Sequence, residues 1–350
     1  MVSLLISKYG TGELTLIENA LMEAFYAALK TWPYNELPDN PEAWIYTVSS
    51  RKMVDALRKK DRRFEQLDSH EESNQSHEID IRKHEEIEDA QLRLLFLVCH
   101  PDLKKKDQLA FMLKTVSGFG IREIAAALLQ EPEAVKKRLA RARDYIKKNN
   151  LKFEWPGQSE IENRLEMVHS ALYLLFNEGY FSSHPNKSVR KDFCLEAMQL
   201  CKLLSDHKLA NANTMALMSL MCYHISRFES RIDTSGEIII LERQDRSNWD
   251  PYFVKLGHHY LGRSSDLTDK KTIYQIEAMI SCTHCVAKSL EDTNWGLLEL
   301  LYNKLLEYKP GELIKMNLVV VYLMSNQLLI AKTLFESIDE KDLKNYKSNY

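Results

Sequence analysis

The sequence predicts an all-α protein with two small helical domains, the second a helix-turn-helix, followed by a larger C-terminal helical array. Its 350 residues include only 11 glycines and 9 prolines, which is few for a β-protein with many tight turns. Long stretches rich in Leu, Ala, Glu and Lys carry apolar residues at helical spacing instead. With 45% hydrophobic residues, the chain can form the cores of two or three domains.

Changes in composition divide the chain into segments. An acidic linker without sustained periodicity separates the two small domains, and a second linker containing Pro156 and Gly157 precedes the array. Paired helices of similar length suggest that the array is solenoid-like. Within it, residues 237–241 are the one candidate strand. The predicted segments are a first domain at 1–63, the acidic linker at 64–89, a second domain at 90–150 and a C-terminal extension at 160–350.

Charge is distributed unevenly, although the net charge is only −3. Residues 51–63 contain seven Lys or Arg against two acids, and residues 136–148 contain seven against one. Between them, residues 65–89 contain ten acids against two cations. Two basic blocks on either side of an acidic one are typical of two DNA-facing modules joined by an acidic tether.

The six cysteines form no disulfide framework, so we expect reduced thiols and a cytoplasmic protein without a signal peptide. Cys282 and Cys285 have zinc-like spacing but lack a second pair, and we therefore expect no metal and no cofactor. The apolar run from Leu313 to Ala331 contains Lys and Asn residues, which favours a buried amphipathic helix over a membrane span.

The first basic block lies on a helix that we expect to begin near Pro41, after a loop with three prolines at 33–41. Steps of four and three residues place an aromatic and several charged side chains on one stripe. Such a stripe can neutralise phosphates and stack an aromatic on an unpaired base. For this helix alone, a solvated basic end with the aromatic in the core is the stronger alternative. The stripe consists of Trp44, Val48, Arg51, Asp55, Arg58 and Arg62.

The second basic block forms the second helix of a predicted helix-turn-helix. A short helix at 121–129, a break at 130–132 and a longer helix at 133–148 follow one another. Lys136, Lys137 and Arg141 point away from the apolar side, as a recognition helix requires. A generic pair of bundle helices remains the alternative. The expected buried stripe consists of Val135, Leu139, Ala142 and Ile146.

Three motifs resemble the extracytoplasmic-function (ECF) type of RNA polymerase sigma factor. They lie at 17–25, at 38–45 running into Arg58, and at 122–143. The resemblance implies that the first binds the polymerase clamp, the second reads the melted −10 element and the third binds the −35 duplex. Clamp contacts would then be Glu18, Leu21, Glu23 and Phe25. Contacts with −10 would be Trp44, Arg51, Asp55, Arg58, Lys59 and Arg62. Contacts with −35 would be Arg122, Glu133, Lys136, Lys137, Arg138 and Arg141.

Further motifs resemble one subgroup of that family, whose members carry a long, tetratricopeptide-like helical extension. They lie at 92–101, 174–180, 244–250 and around His284 and Trp295. Three interpretations of the polar and aromatic residues in the extension stay open: a buried polar network with helix caps, a ligand or peptide pocket, or an acid–base pair of Glu178 with Asp245 or Asp250. The residues concerned are Asn177, Glu178, Tyr180, Asp245, Arg246, Trp249, Asp250, His284 and Trp295.

The resemblance implies a specificity factor rather than an enzyme. Its expected partners are core RNA polymerase, promoter DNA and a regulatory protein or ligand at the extension, with no membrane. About sixteen residues precede the clamp motif, so we expect part of the family's first helix to be absent. Two alternatives stay open: a helix-turn-helix regulator with a ligand- or protein-sensing helical domain, and a degenerate sigma-derived scaffold.

Overall fold

The computed structural model describes residues 1–34, 37–64, 84–128, 130–180, 190–233 and 238–338. In these ranges the chain forms sixteen α-helices, three short 3-10 helices and no strand, which confirms the all-α prediction. The chain divides into two compact units. The first comprises Met1–Ala125 and Glu131–Val168, and the second comprises Ala126–Gln130 and His169–Tyr350.

The N-terminal half contains two groups of helices, with a 3-10 helix at Thr11–Glu13 between α1 and α2. The first group is α1 (Val2–Tyr9), α2 (Leu14–Thr31) and α3 (Pro41–Phe64). The second is α4 (His84–Val98), α5 (Lys105–Thr115), α6 (Ile121–Ala127) and α7 (Pro132–Lys148). The C-terminal helices are α8 (Ile161–Tyr180), α9 (Lys191–Asp206), α10 (Ala212–Ile225), α11 (Phe228–Arg231), α12 (Pro251–Asp266), α13 (Ile273–Val286), α14 (Trp295–Tyr308), α15 (Glu312–Met324) and α16 (Leu328–Glu336).

Helices α2 and α3 pack together because each has one apolar face. On α2 the buried positions recur every three or four residues, and α3 contributes Ile45 and Met53. Pro41 begins α3, as predicted, and the Asn40 side chain accepts a hydrogen bond from the Ala43 amide at 2.9 Å. The positions buried on α2 are Leu14, Ile17, Ala20, Ala24 and Ala28.

Helix α7 packs on α5 through the four apolar positions that its sequence predicts. Val135, Leu139, Ala142 and Ile146 are all buried, and Pro132 occupies the first turn. Between α5 and α6 the chain reverses at Gly118, whose φ of 75° is costly for any residue with a side chain. Helix α6 precedes α7 directly, which is the order of elements that the predicted helix-turn-helix requires.

The second unit is arranged around α10, which is buried on nearly all sides and packs on α9, α12 and α13. A capping box between Asn211 and Thr214 begins it. Gly257 of α12 permits the close approach, since a Cβ there would lie 2.6 Å from the Tyr223 ring. The helices after α13 share a core of Leu, Ile and Val residues.

The predictions for the candidate strand and for the acidic linker differ from the structure or are only partly covered by it. The described part of the candidate strand, residues 238–241, is not a strand: Ile238 forms one isolated bridge with Ile232, and a 3-10 helix begins at Leu241. Residue 237 and most of the acidic linker, 65–83, lie outside the described residues, while α4 already begins at His84 within the predicted linker.

The apolar run from Leu313 to Ala331 forms two helices, α15 and α16, rather than one. The chain turns at Asn326, whose φ is 58°. A positive φ is strained for residues that carry a β-carbon, but Asn tolerates this left-handed conformation better than most residues. The backbone therefore leaves the helical conformation at Asn326, between α15 and α16. No helix in the described ranges is long and apolar enough to cross a membrane.

Candidate nucleic-acid interface

Helix α3 presents its cationic residues to solvent. Arg51, Asp55, Arg58 and Lys59 are exposed. Arg62 lies on the same helix, and its side chain lies outside the described residues. The side chains at 51, 55 and 58 follow one stripe, so two guanidinium groups can face a phosphate backbone without any described residue in the way.

Trp44 occupies a different environment from the cations on α3. Its ring meets that of Trp32 edge-to-face at 5.5 Å, and both pack against Ala24, Ala28 and Ile45 in the domain core. The indole is half-buried. This placement is the one foreseen by the alternative interpretation, in which the aromatic belongs to the core.

The N-terminal half of α7 carries the exposed cations of the helix-turn-helix. Lys136 and Lys137 are exposed, as is Arg122 on α6. Glu133 accepts a hydrogen bond from Lys136 at 2.6 Å, and both side chains remain largely solvated. Because such an exposed pair contributes little energy, Lys136 can exchange this partner for a phosphate at small cost.

Two other arginines of α7 are tied to a buried acid on α5. Asp107, with only 5% of its side chain exposed, accepts hydrogen bonds from Arg138 Nη1 at 2.7 Å and from Arg141 Nη2 at 2.9 Å. Arg141 is still 58% exposed, whereas Arg138 is mostly covered. The sequence does not predict this cluster, because Asp107 lies 31 residues before Arg138 and no local pattern marks it.

The Asp107 cluster makes stability depend on pH. Burial would raise the pKa of Asp107, but hydrogen bonds and charges from Arg141 and Arg138 outweigh burial and hold the pKa below its ordinary value. A carboxyl with a lowered folded-state pKa contributes stability above its unfolded pKa of about 3.9. That contribution is lost as the pH falls through the folded-state pKa.

We therefore expect Asp107→Asn to lower the free energy of unfolding by about 1.5–3 kcal/mol at pH 7. The difference from the natural chain should shrink as the pH falls below about 4. Thermal unfolding between pH 7 and pH 3 measures this, with the exposed Asp144→Asn as the control. A difference that is equally large at pH 3, or absent at pH 7, contradicts the role of Asp107.

Helix α2 presents an apolar stripe to solvent. Met22, Phe25, Tyr26 and Leu29 recur at helical spacing and are 62%, 45%, 60% and 74% exposed. Of the predicted clamp residues, Phe25 lies in this stripe, and the exposed Glu23 pairs with Lys52 at 3.1 Å. Of the four apolar residues in this stripe, only Phe25 was predicted as a clamp contact.

The two remaining clamp residues of α2 face protein. Leu21 is half-buried against the core shared with α3. Glu18 is mostly buried and accepts a hydrogen bond from Arg143 Nη2 of α7 at 2.5 Å. Burial raises the pKa of Glu18 in spite of the nearby charges of Arg143 and Lys114.

In the second unit, four of the predicted residues come together around Arg246. Its guanidinium donates to the His284 and Ala287 carbonyls at 2.9 and 2.7 Å, and its Cζ lies 5.1 Å from the Trp249 ring. The His284 ring lies 6.0 Å from that of Trp295. Burial, with the charges of Arg227 and Arg246, lowers the pKa of His284 to about 4, so the ring is neutral at pH 7.

Asp245 and Asp250 begin helical segments. The Asp245 carboxylate accepts from the Ser247 amide at 2.9 Å, and the Asp250 carboxylate accepts from the Tyr252 amide at 2.8 Å. Both side chains are exposed N-caps. This geometry favours the interpretation of the motif at 244–250 as a corner of caps and polar contacts over the acid–base interpretation.

A second group surrounds the end of α8. Tyr180 is buried, with Arg231 Cζ 3.8 Å from its ring, while Asn177 and Glu178 are half-buried. Gly179 is required by packing: a Cβ there would lie 2.8 Å from the Arg190 carbonyl oxygen and the Cys194 amide nitrogen. The motif at 174–180 therefore places α8 against α9.

No His, Cys, Asp or Glu residues in the described ranges gather in a group of three or more that could hold a metal ion. Cys282 and Cys285 lie near the C-terminal end of α13. Burial raises the pKa of the Cys285 thiol to about 11, which disfavours the thiolate that zinc requires.

A cationic helical domain followed by a helix-turn-helix is typical of a DNA-binding transcription factor. The family model for sigma-70 region 2 matches residues 5–63, and that for sigma-70 region 4 matches residues 93–146. The chain belongs to the sigma-70 family. We call α1 to α3 the region 2 module and α4 to α7 the region 4 module.

A third family model, for a family of unknown function (DUF6596), matches residues 164–265 in the extension. The chain is also similar to a protein of Rhizobium meliloti (strain 1021), named as uncharacterized protein R00370. The two are 32% identical over 311 residues, which cover 88% of this chain and 73% of the relative. No solved structure matches the chain.

Proposed function

We propose that the chain is an ECF-type sigma factor that binds core RNA polymerase and directs it to promoters. In this proposal the region 2 module contacts the polymerase clamp and the melted −10 strand, and the region 4 module binds the −35 duplex. The observation that carries it is the apolar stripe of Met22, Phe25, Tyr26 and Leu29 beside the cationic helix α3. An exposed apolar stripe marks a protein-binding surface, which DNA binding alone does not require.

Contacts with DNA fall to the exposed cations. On α3 these are Arg51, Arg58 and Lys59, and on the helix-turn-helix they are Arg122, Lys136 and Lys137. Their outward positions support phosphate contacts, which neutralise the backbone and release counterions. Arg138 and Arg141 belong to this proposal in a lesser role, since Asp107 offsets part of their charge.

The extension is proposed to be a tetratricopeptide-like regulatory domain. Successive helices from α12 to α16 follow one another with short connections, and this supports a repeat-like arrangement. The corner formed by Arg246, Trp249 and His284 supports a polar network that fixes the helices. In this proposal the array binds a regulatory protein or ligand and does not act as a catalytic domain.

Reconstitution with core polymerase tests the proposed function. We expect the full chain to bind core enzyme and to produce discrete transcript starts genome-wide, with DNA affinity that falls steeply as salt increases. A mobility-shift assay with and without core enzyme separates the alternatives. An operator-like complex without polymerase indicates a conventional regulator, and no salt-dependent DNA affinity indicates a degenerate scaffold.

A further inference from the structure

Three arginines of the extension concentrate positive charge beside the corner of Arg246, Trp249 and His284. Arg227 and Arg246 both lie against the Trp249 ring, with their Cζ atoms 5.4 and 5.1 Å from its centre. Burial lowers the pKa of Arg231, and the positive charge of Arg227 lowers it further. Arg227 and Arg231 are only 8% and 6% exposed, so this charge lies largely inside the fold.

Two of these arginines have a structural task at the end of a helix. Arg246 Nη1 donates to the His284 and Ala287 carbonyls, where α13 ends. Arg231 Nη2 donates to the Tyr180 carbonyl at 3.3 Å, where α8 ends. A cation at a helix C-terminus satisfies free carbonyl groups and is favoured by the helix dipole. These contacts account for both arginines without a ligand.

Arg227 has no such task, yet its guanidinium is held in place. Its Nε donates to Gln244 Oε1 at 3.3 Å, and its face lies on Trp249. Gln244 is fixed in turn, because its Nε2 donates to the Ile239 carbonyl at 2.8 Å. The terminal nitrogens Nη1 and Nη2 of Arg227 have no hydrogen-bond partner among the described residues. One edge and one face of the guanidinium are thus anchored, and its fork is open.

The charge of this group of arginines is not fully balanced by acids. No carboxylate in the described ranges forms an ion pair with Arg227 or Arg246. Glu291 and Asp292 act on Arg246 only from a distance, and both are exposed. Burial, followed by the charge of Arg227, holds the pKa of His224 well below its ordinary value, so this imidazole is neutral at pH 7. Because a buried charge without a counter-ion is strongly unfavourable, a bound anion would stabilise this part of the fold.

Two buried polar atoms beside the guanidinium groups also lack partners. Trp249 Nε1 and His284 Nδ1 form no hydrogen bond within the part of the chain that the structure describes, although the two residues are only 7% and 8% exposed. Buried polar groups in folded proteins are nearly always satisfied. An indole N–H is a donor only, and a neutral imidazole can donate from Nδ1. Both atoms therefore suit a ligand with acceptor oxygens.

We propose that the extension binds a small oxyanion, a phosphate or a carboxylate group, at the open fork of Arg227 beside Trp249 and His284. A guanidinium fork donates two parallel hydrogen bonds to two oxygens of such a group, which a single ammonium cannot do. The inference deepens the proposed function, because it names the chemical class of the regulatory ligand. Anion binding is measured without polymerase, so either proposal can fail while the other holds.

Isothermal titration calorimetry and thermal unfolding of the full chain test the site. The probes are inorganic phosphate and acetate, each compared with chloride at equal ionic strength. At about 20 mM probe we expect phosphate, acetate or both to raise the unfolding midpoint by about 2 °C or more. The probe that acts tells a phosphate site from a carboxylate site, and the proposal is overturned if neither acts.

Variants of the full chain separate Arg227 from the cations that face DNA. Arg227→Lys keeps the charge but loses the planar fork, and we expect the affinity for the anion to fall about tenfold. Arg227→Met removes the charge and should abolish the response. Arg243→Met makes the same change at an exposed position and should keep it.

Anion responses of the Arg227 variants that equal the response of Arg243→Met overturn the proposal, because the anion then binds elsewhere. If Arg227→Met does not fold, Arg227→Lys decides alone, since it retains both the charge and the length of the side chain. A chain that directs transcription but binds no anion contradicts this inference only. A chain that binds the anion at Arg227 but not polymerase contradicts the proposed function only.

Discussion

Replacing Lys136 and Lys137 together by alanine is expected to weaken binding to the −35 duplex roughly 60-fold at 0.1 M salt. Each phosphate contact changes the slope of log affinity against log salt by about 0.9, so two contacts amount to nearly two decades between 0.1 M and 1 M salt. Both lysines are exposed on the N-terminal half of α7, where a recognition helix meets DNA. Fluorescence anisotropy with a labelled duplex over a salt series measures affinity and slope together.

The control for this pair lies on the same helix. Lys147→Ala with Lys148→Ala removes the same charge at the other end of α7, and both side chains are exposed. We expect a much smaller loss, because the C-terminal end of a recognition helix lies away from the base edges. Equal losses from the two pairs would indicate a general charge effect, and an unchanged slope for Lys136 and Lys137 would remove both from the interface.

The helix-turn-helix could be predicted from sequence because its determinants are local. The spacing of Val135, Leu139, Ala142 and Ile146 fixes which side of α7 is buried, and the structure buries all four. Pro41 marks a helix start for a similar reason, since proline fits the first turn of a helix. Pro132 was expected in the break before the second helix, and it instead occupies the first turn of α7. The spacing of apolar residues and the positions of prolines therefore predict the buried face and the start of a helix, because both depend on that helix alone.

The ion pairs could not be predicted in this way. Asp107 with Arg138, and Glu18 with Arg143, join residues on different helices that are 31 and 125 positions apart. Sequence alone shows a basic helix, whereas the fold offsets part of that charge with buried carboxylates. Trp44 illustrates the same limit. From sequence, an aromatic residue on a basic stripe can either stack on a DNA base or pack in the domain core, and only the structure shows that Trp44 packs against Trp32.

The extension shows a third kind of limit. Its motifs at 174–180 and 244–250 are dense in polar and aromatic residues. This composition fits a ligand-binding pocket and a structural corner between helices equally well. Gly179 and the caps Asp245 and Asp250 have packing and hydrogen-bonding tasks that only the fold reveals. The strand expected at 237–241 is not formed by its described residues, 238–241, because this short apolar run lacks a partner strand in the described part of the unit.

Introducing charge into the apolar stripe of α2 is expected to abolish polymerase binding. Phe25 and Leu29 are 45% and 74% exposed, so Phe25→Glu with Leu29→Glu should not disturb the core, and Glu is a good helix former. Burying each new carboxylate against a partner is costly, and loss of an aromatic anchor alone typically costs at least 2 kcal/mol. We expect core polymerase affinity to fall at least about 100-fold.

The matched control for the α2 variant is Leu195→Glu, which changes an apolar side chain of α9 that is 51% exposed. It should leave polymerase binding as it is, because its helix lies in the extension. The α2 variant should also retain −35 duplex binding, since Lys136 and Lys137 are unaltered on α7, and this separates a lost interface from a lost fold. Normal polymerase binding by the α2 variant would show that the stripe serves another partner, and the case for polymerase recruitment would then lack its main support.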